Sequence, residues 1–429
     1  MHEPAFHITW REGELLYQPL TNRITNQQTG EVHSVIRQQK YPVIQKAAHY
    51  EPFCLTVFLS HLCNLNCSYC YTGENKHVPL TTFPTAALPG TAEWIAGSCA
   101  KRSMPFILGF HGGNEPLLFP ALIDEVLTIC KATADEKQIE LLPYCTTNGV
   151  LDRETVIWAR DHFHGMTLSW DGAADIHDTH RTKKSGTATS DIVQQTADML
   201  KDHVPRFKVR ATVTSRSASR LPEIVEFFHR QQIRNIEFYP VYQDLKGSLD
   251  FNLKPDPGDF VRHFLAARKL GRSLGMSIGF AASRMEHFHH TFCPIFQENL
   301  TVTPDGCFTA CFLATHNEND EFARCMFGSI DTATKEPQFD RDSLGSLLSI
   351  LAKSPEQCQS CFNRWHCAKG CPEICLLRSS GQEQFDCRMA KWIGLANIFE
   401  AAGLEITDHQ MQYCEEFFES INIRERTAE

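Results

Sequence analysis

The chain has 429 residues, of which 42% are hydrophobic and 21% charged, a balance typical of a globular protein with about two or three domains. A net charge of −10 and a pI of about 6.1 argue against a nucleic-acid-binding surface of the ordinary basic kind. No apolar run approaches the ~18 residues of a membrane span, and no signal-peptide pattern opens the chain, so we expect no membrane contact and a cytoplasmic location.

The first part of the chain, residues 1–50, alternates polar and apolar side chains, as in Phe6–Trp10. That alternation is typical of strands, and Asn26–Gly30 supplies a turn signal. The pattern predicts a small N-terminal β appendage, which serves either as a packing flap or as a lid for a peptide.

Strand-like and helical segments alternate from residue 51 to residue 280, and this alternation predicts βα units around a parallel sheet. The predicted strands are 53–60, 106–111, 139–146, 166–171, 207–214 and 235–241. The predicted helices are 91–102, 119–134, 152–163, 190–203, 220–231 and 258–274. Because active-site groups of such sheets come from the C-terminal strand ends, the residues after each strand are the candidates for chemistry.

Three closely spaced cysteines, Cys63, Cys67 and Cys70, follow the first predicted strand. Three thiolates on one short loop can each bind a different iron of a 4Fe–4S cluster. A cluster with a protein ligand on every iron would need a fourth cysteine. One iron is then open to a small molecule. Cysteines spaced in this way also suit a structural zinc ion, and the loop by itself leaves both interpretations standing.

The ends of the next two strands carry glycines, a carboxylate and an amide. In the segment His111-Gly-Gly-Asn-Glu-Pro116, the glycines can bring backbone N–H groups close to a ligand and Glu115 can pair with a cation. Asn148 lies in the Thr-Asn-Gly turn after the third strand. Each turn alone is a common strand ending, but their succession predicts part of a ligand pocket.

The fourth predicted strand ends near Ser169, and a polar segment follows it. A serine hydroxyl suits a ribose, and the guanidinium fork of Arg181 suits a carboxylate. We interpret Asp171 as a turn or helix cap and His177 as a residue of a surface loop.

More than half of the eighteen cysteines lie between residues 293 and 387. An ordered series of seven consists of Cys293, Cys311, Cys358, Cys361, Cys367, Cys371 and Cys387. In a large chain without a secretion signal, such a series indicates metal binding rather than disulfides. The stretch from residue 358 to residue 371, taken alone, also fits a zinc ribbon.

The loop from Cys63 to Cys70 resembles the C-x3-C-x2-C signature of radical S-adenosylmethionine (SAM) enzymes, with Tyr69 as the aromatic residue before the last cysteine. The resemblance implies a partial (β/α)6 TIM-like barrel and a 4Fe–4S cluster on Cys63, Cys67 and Cys70 that binds SAM. It also implies reductive cleavage of SAM to a 5′-deoxyadenosyl radical, which abstracts hydrogen from a substrate.

Further segments resemble the motifs that hold SAM in that family, although Asn114 is inserted in the glycine-rich motif. The cofactor-binding residues that the resemblance implies are Tyr69, Gly112, Gly113, Glu115, Asn148, Ser169 and Arg181.

The seven C-terminal cysteines resemble the SPASM domain, which binds two auxiliary 4Fe–4S clusters. The resemblance implies that one cluster is bound by Cys358, Cys361, Cys367 and Cys387. It implies three ligands for the other, Cys293, Cys311 and Cys371. The fourth position of that cluster is left open: the iron binds substrate, or it is filled by His287, His289, His290 or Cys307.

The two resemblances divide the chain into the appendage over 1–50, the barrel over 51–280, the SPASM domain over 281–400 and a helical tail over 401–429. They imply a radical SAM oxidoreductase that modifies a peptide, with a ribosomal precursor peptide as substrate and a flavodoxin or ferredoxin as external one-electron donor. We expect it to install a carbon–carbon, thioether or similar crosslink, with the auxiliary clusters as electron acceptors. The general base is not identified.

Other functions remain open at this point. In sulfatase-maturing relatives an aspartate follows the second SPASM cysteine, whereas Phe312 follows Cys311 here, so oxidation of a sulfatase residue is disfavoured. Dehydrogenation of a small alcohol is a further alternative. A zinc or electron-transfer protein without catalytic activity is the alternative of another class.

Overall fold

The computed structural model describes residues 4–35, 50–70, 83–112, 115–241, 251–280, 282–286, 288, 298–312, 314, 325–352, 356–367 and 387–425. These residues form a smaller antiparallel sheet and a larger sheet that contains the candidate site. The smaller sheet begins with strands β1 (Phe6–Trp10), β2 (Gly13–Gln18), β3 (Arg23–Asn26) and β4 (Val32–Ser34).

Seven parallel strands form the barrel part of the larger sheet. They are β5 (Cys54–Val57), β6 (Phe106–Phe110), β7 (Leu141–Thr147), β8 (Gly165–Ser169), β9 (Arg206–Val213), β10 (Asn235–Pro240) and β11 (Ser277–Gly279). Their order in space follows their order in the chain. The six strands predicted from the sequence are confirmed, and β11 adds a short seventh at the edge. The parallel sheet is that of a partial barrel, so the predicted fold class is confirmed.

Helices connect these strands on the outside of the sheet. They are α1 (Pro89–Lys101), α2 (Pro120–Glu136), α3 (Arg153–His162), α4 (Ala174–His180), α5 (Ser190–Leu200), α6 (Leu221–Arg230) and α7 (Pro257–Ser273). Short 3₁₀ turns occur at Thr85–Ala87, Pro116–Leu118, Ala218–Arg220 and Phe251–Leu253. Helix α4, which follows Ser169 and ends just before Arg181, was not predicted as a separate helix.

Strand β9 separates an apolar outer face from a polar inner one. In β9, Val209, Ala211 and Val213 are buried, whereas Arg210 and Thr212 alternate with them and face the barrel interior. Since side chains alternate along a strand, this period of two separates residues that pack on helices from those available for chemistry. Burial of each large apolar side chain contributes about 1.5–3 kcal/mol.

The C-terminal third continues the larger sheet beyond β5. Strand β12 (Asn299–Val302) pairs in parallel with β5, and β13 (Cys307–Thr309), β14 (Met326–Ile330) and β15 (Pro337–Phe339) follow as antiparallel strands. The helices of this part are α8 (Arg341–Leu351), α9 (Glu356–Gln359), α10 (Arg388–Ala401), α11 (Asp408–Gln412) and α12 (Cys414–Ser420).

The last described strand, β16 (Asn422–Glu425), returns to the N-terminal sheet and pairs antiparallel with β1. The sequence predicts a helical tail after residue 401, but the structure shows that this segment is only partly helical and ends in a strand. It ends as a strand because Ile423 lies opposite Ile8, whose side chain is fully buried. None of the helices in the described ranges is long and apolar enough to span a bilayer.

Candidate functional site

The loop that carries the first three cysteines emerges beyond β5, at its C-terminal end. Its backbone is held by the end of α4 and the residues that follow it, because Ser68 N donates to His180 O at 3.0 Å and Asn66 N donates to Thr182 O at 2.9 Å. Ser68 Oγ also lies 2.7 Å from His180 Nδ1. The loop is thus held by a segment more than 100 residues further along the chain.

The three thiols of this loop are partly buried. Cys63 Sγ accepts from Leu65 N at 3.5 Å and from Asn148 Nδ2 at 3.6 Å, and such donors suit a sulfur that carries negative charge in a cluster. Burial raises the pKa of the Cys67 thiol to about 12, and the nearby Arg181 opposes that shift. Within the described ranges, no three His, Cys, Asp or Glu side chains converge on a single-ion site. The 4Fe–4S assignment stays a prediction.

Asp171 is the centre of a buried hydrogen-bond network behind the loop. Its carboxylate accepts from the Tyr69 hydroxyl, from Arg181 Nε at 3.0 Å and from Thr212 N at 2.9 Å. Burial alone would raise the pKa of Asp171, but Arg181 and then His177 hold it below its usual range. The interpretation of Asp171 as a turn or cap is wrong, because this side chain joins three separate segments.

The two residues that share Asp171 were predicted to contact SAM. Tyr69 is buried, and the Arg181 guanidinium carbon lies 5.2 Å from the centroid of its ring. Arg181 also donates from Nη2 to Thr212 Oγ1 at 3.3 Å. Since Asp171 and Thr212 occupy only part of the guanidinium fork, Arg181 retains donors for a carboxylate. Direct contact of Tyr69 and Arg181 with SAM stays a prediction.

His177 lies on α4 and is fully buried, so the surface-loop interpretation is wrong. Its Nδ1 accepts from Asp171 N at 3.3 Å, and its Nε2 lies 3.1 Å from Thr189 Oγ1. Burial lowers the pKa of His177 to about 4, so the imidazole is neutral near pH 7. Its contacts give it a structural role beneath Asp171.

Glu115 lies beside the cysteine loop and is almost completely buried. Its backbone N donates to Leu62 O at 3.1 Å, and its carboxylate accepts from Leu117 N, Thr147 Oγ1 and Asn148 N at 3.2, 2.8 and 2.6 Å. Burial raises the pKa of Glu115 to about 7, although these hydrogen bonds lower it. A carboxylate has about four lone-pair sites, so one remains for an incoming N–H group.

Asn148 joins the turn after β7 to the cysteine loop. Besides its contact with Cys63, Asn148 Nδ2 donates to Asn64 Oδ1 at 2.7 Å, and Asn64 Nδ2 donates to Val150 O at 2.6 Å. Gly149 has a φ of +75° and Gly112 a φ of +119°, values that favour glycine. Gly113 lies outside the described residues.

The barrel interior next to these residues contains both aromatic and charged side chains. The His111 ring lies 4.2 Å from the Phe312 ring and 5.8 Å from the Tyr144 ring, measured between centroids. Phe312 follows the predicted ligand Cys311, so the segment that begins at His111 after β6 contacts the C-terminal region at this point. Ser169 lies opposite Arg210 in the pairing of β8 with β9.

Four of the C-terminal cysteines lie in segments that are tied to one another. Asn363, between Cys361 and Cys367, donates from Nδ2 to Ala390 O at 2.8 Å, three residues after Cys387. Cys361 N also donates to Cys358 O at 3.3 Å. The structure therefore brings the segments of Cys358, Cys361, Cys367 and Cys387 together, which fits the cluster that the resemblance implies for them.

The other predicted auxiliary set is described only in part. Cys311 N donates to Thr309 Oγ1 at 3.0 Å. Cys307 lies in β13, and burial raises its pKa to about 12. Five residues of the predicted set lie outside the described part of the chain: Cys293, Cys371, His287, His289 and His290. The fourth ligand of this set stays open.

Three residues that the sequence did not identify as site residues lie at the site in the structure: Asn64, Arg210 and Thr212. Asn64 lies between two predicted cysteine ligands, and a polar amide at that position is a signal of a role at the site. The other two lie at alternate positions of a strand with apolar neighbours, a pattern that marks an inner polar face.

Comparison with known proteins finds anaerobic sulfatase-maturating enzymes among the relatives of this chain. No protein-family model matches the chain. The chain is 26% identical over 208 residues to the cysteine-type anaerobic sulfatase-maturating enzyme of Clostridium perfringens, an alignment that covers 45% of this chain and 53% of the relative. It thus matches only about half of that relative's length. The serine-type anaerobic sulfatase-maturating enzyme of Klebsiella aerogenes is 24% identical over 359 residues, which are 79% of this chain and 84% of the relative.

Solved structures share the fold. The structure of native anSMEcpe with bound AdoMet and Cp18Cys peptide has a TM-score of 0.62 and 18% identity, and the match covers 85% of this chain and 99% of that one. Streptococcus suis SuiB bound to precursor peptide SuiA has a TM-score of 0.55 and 17% identity over 79% of this chain and 76% of SuiB. The chain is therefore related to the anaerobic sulfatase-maturating enzymes and similar in fold to SuiB, and the predicted resemblance to radical SAM enzymes of the SPASM type is confirmed.

Proposed function

We propose that this protein is a radical SAM enzyme that removes two hydrogen atoms from a peptide and thereby forms a crosslink in it. Cys63, Cys67 and Cys70 would hold a 4Fe–4S cluster that would supply the electron for cleavage of SAM, and the C-terminal cysteines would hold clusters that would take up the electron lost by the peptide. One hydrogen atom of the peptide passes to the adenosyl group. One proton leaves with the second electron, so the modified peptide is lighter by two hydrogens.

The chain's own residues support the first half of this reaction. Glu115 keeps one acceptor position for the amino group of SAM, and Arg181 keeps donors for its carboxylate. The buried network around Asp171 holds Arg181 and Tyr69 in place before SAM binds. Such preorganisation lowers the cost of binding in the reactive geometry. An external one-electron donor, such as flavodoxin or ferredoxin, completes the electron balance.

The pair of rings formed by Phe312 and His111 is the observation that favours crosslinking over sulfatase-type oxidation. At the position after Cys311, where sulfatase-maturing relatives have an acid, this chain has an apolar ring in contact with an imidazole. A phenylalanine cannot serve as a base at this position, as that acid can in those relatives. Peptides bound to anSMEcpe and to SuiB support a peptide as the substrate class.

The test is co-expression of the protein with short peptides encoded beside its gene, followed by mass spectrometry. The expected product is lighter by two hydrogens and resists fragmentation inside the linked segment. The control is the triple variant Cys63→Ala, Cys67→Ala, Cys70→Ala, which should leave the peptide unchanged. An unchanged peptide with the wild-type protein would contradict the proposal. So would zinc as the principal metal together with no 5′-deoxyadenosine formed from SAM and reductant under anaerobic conditions.

A second candidate is oxidation of one cysteine or serine residue, which the sulfatase-maturating relatives favour. Oxidation of serine removes two hydrogens and leaves an aldehyde. Oxidation of cysteine removes two hydrogens and leaves a thioaldehyde, and water then replaces its sulfur by oxygen with release of hydrogen sulfide, so that an aldehyde results here too. Reaction of the product with a hydrazide reagent would identify this activity, whereas a crosslinked peptide would not react.

A further inference from the structure

Arg210 is an exposed cation at an unusual place. It lies in the middle of β9, a strand with β8 on one side and β10 on the other, yet its side chain is exposed. Its neighbours Val209 and Ala211 are buried on the outer face, so Arg210 points into the barrel interior. A charged group inside a barrel needs a partner or solvent, because burial of an unpaired charge is costly.

The acid nearest to Arg210 in the sheet is already paired with other cations. Glu237 lies opposite Arg210 in the pairing of β9 with β10, but its carboxylate contacts Lys208 Nζ at 3.1 Å and Arg284 Nη2 at 2.7 Å. It also accepts from the Tyr239 hydroxyl at 3.2 Å. Among the described residues, no carboxylate lies within ion-pair distance of Arg210. Of the described side chains grouped around Glu237 and Tyr239, Lys208, Arg210 and Arg284 are cations and Glu237 is an anion.

The contact of Arg210 with Tyr239 leaves its hydrogen-bond donors free. The guanidinium carbon lies 3.7 Å from the centroid of the Tyr239 ring, so the flat face of the group is covered by an aromatic surface. Stacking of this kind holds the guanidinium in one orientation and leaves the N–H edge available. That edge is the part of arginine that binds a carboxylate through two parallel hydrogen bonds.

Arg210 is also close to the residues that we assign to the reaction. Thr212, two positions further on the same face of β9, binds both Asp171 and Arg181. Ser169 lies opposite Arg210 on β8. Burial lowers the pKa of His111 to about 4, and the charge of Arg210 contributes to that shift, which places the two side chains in electrostatic range.

We propose that Arg210 is a substrate-recognition residue that binds a carboxylate of the peptide beside the residue to be modified. The inference rests on the proposed function, because it takes the substrate to be a peptide. The carboxylate belongs to an aspartate or glutamate side chain or to the C-terminus of the peptide. The excess positive charge of Lys208, Arg284 and Arg210 over Glu237 attracts such a group into the interior.

The experiment measures binding without turnover, on the reconstituted protein with SAM and without reductant. The probes are acetyl-Ala-Glu-Ala-amide, acetyl-Ala-Gln-Ala-amide and acetyl-Ala-Gln-Ala with a free C-terminus, and affinity is read by ligand-observed NMR titration. We expect one of the two acidic probes to bind the wild-type protein about tenfold more tightly than the neutral probe, as a charge-assisted hydrogen-bonded pair does. Which of the two does so identifies the source of the carboxylate.

Matched variants connect that preference to Arg210. Arg210→Gln should abolish the preference, and Arg210→Lys, which keeps the charge but not the fork, should retain only part of it. Arg230→Gln, on the exposed side of α6, should leave it unchanged. The affinity for SAM should be the same in all four proteins.

Three results would overturn the proposal. The first is a wild-type protein that binds the three probes equally, and the second is an Arg210→Gln variant that keeps both the preference and SAM binding. The third is an Arg210→Gln variant that keeps the preference but loses SAM binding, which would assign Arg210 to the carboxylate of SAM. The binding experiment needs no turnover, so its failure would not change the mass-spectrometric test of the proposed function. In the same way, an unmodified peptide in the mass-spectrometric test would not change the measured preference for acidic probes.

Discussion

At the scale of single residues, Glu115 shows how burial and hydrogen bonding set the charge of a ligand-binding group. Its carboxylate is almost inaccessible to solvent, which penalises the ionised form, while three donors of the chain partly compensate. The resulting pKa of about 7 places the protonation of Glu115 inside the physiological range. Binding of an amino group requires the ionised form as acceptor.

SAM binding should therefore depend on pH around neutrality. A carboxyl whose pKa is raised to about 7 must lose a proton before it accepts from SAM, so the affinity should fall by up to about tenfold per pH unit below pH 7 and be nearly constant above it. Equilibrium dialysis with labelled SAM between pH 6 and pH 8 measures this. Glu115→Gln should bind weakly and lose the dependence, whereas the exposed Glu93→Gln should behave as wild type. The same slope in Glu115→Gln would refute the assignment.

At the scale of secondary-structure elements, the site is assembled where segments meet rather than within one of them. Asp171 follows β8, Arg181 follows α4, Thr212 lies in β9, and Tyr69 belongs to the cysteine loop. The Arg181 and Asp171 side chains are 9% and 1% exposed, so their ion pair is shielded from water. Removal of one partner of such a pair leaves an uncompensated buried charge.

Asp171→Asn should consequently destabilise the protein by about 3 kcal/mol or more, because the buried Arg181 loses its counter-charge. Urea unfolding of the metal-free protein, followed by circular dichroism, gives the free energy of unfolding. Asp175→Asn is the matched control: Asp175 also pairs with an arginine, Arg220, but its side chain is 60% exposed. Exposed pairs contribute about 0–1 kcal/mol. Equal losses in the two variants would show that the Asp171 network does not support the fold.

At the scale of the whole molecule, the C-terminal cysteine region is anchored to both other parts of the chain. Asn363 binds Ser283 and Ala390, so it links the segment after the barrel to α10. His366 Nε2 lies 3.2 Å from Pro19 O of the N-terminal sheet, and Asn22 Nδ2 donates to Met285 O at 2.9 Å. The closing strand β16 then joins the end of the described chain to β1.

The approach of α10 to Asn363 gives a test of this assembly. A Cβ at Gly394 would lie 2.8 Å from side-chain atoms of the buried Asn363, so Gly394→Ala should destabilise the protein by about 1–3 kcal/mol. The control is Gly97→Ala in α1, where a Cβ meets nothing within 4 Å and alanine should stabilise the helix by up to about 1 kcal/mol. Thermal unfolding and iron content per chain are the measurements. Stabilisation by both substitutions would exclude the close contact.

Much of the barrel could be predicted from local pattern. The six predicted strands match β5 to β10 within a few residues, because apolar runs bounded by turn residues are properties of neighbouring positions. The surface-loop interpretation of His177 is wrong because its burial depends on contacts between distant segments and not on local pattern. A histidine among charged residues suggests a surface loop, and only the packing of α4 against Asp171 and Thr189 buries it.

The sequence by itself determined the resemblance to radical SAM enzymes of the SPASM type, since cysteine spacing and strand-end motifs are properties of neighbouring positions. Only the tertiary structure decided which residues hold the site residues in place and how those side chains are oriented. The contact of Tyr69 with Asp171, the exposure of Arg210 inside the barrel and the pairing of β16 with β1 each join or orient residues that no local pattern relates. Such contacts depend on how distant segments share the space of one core, because burial and pairing energies are set by neighbours in space and not along the chain.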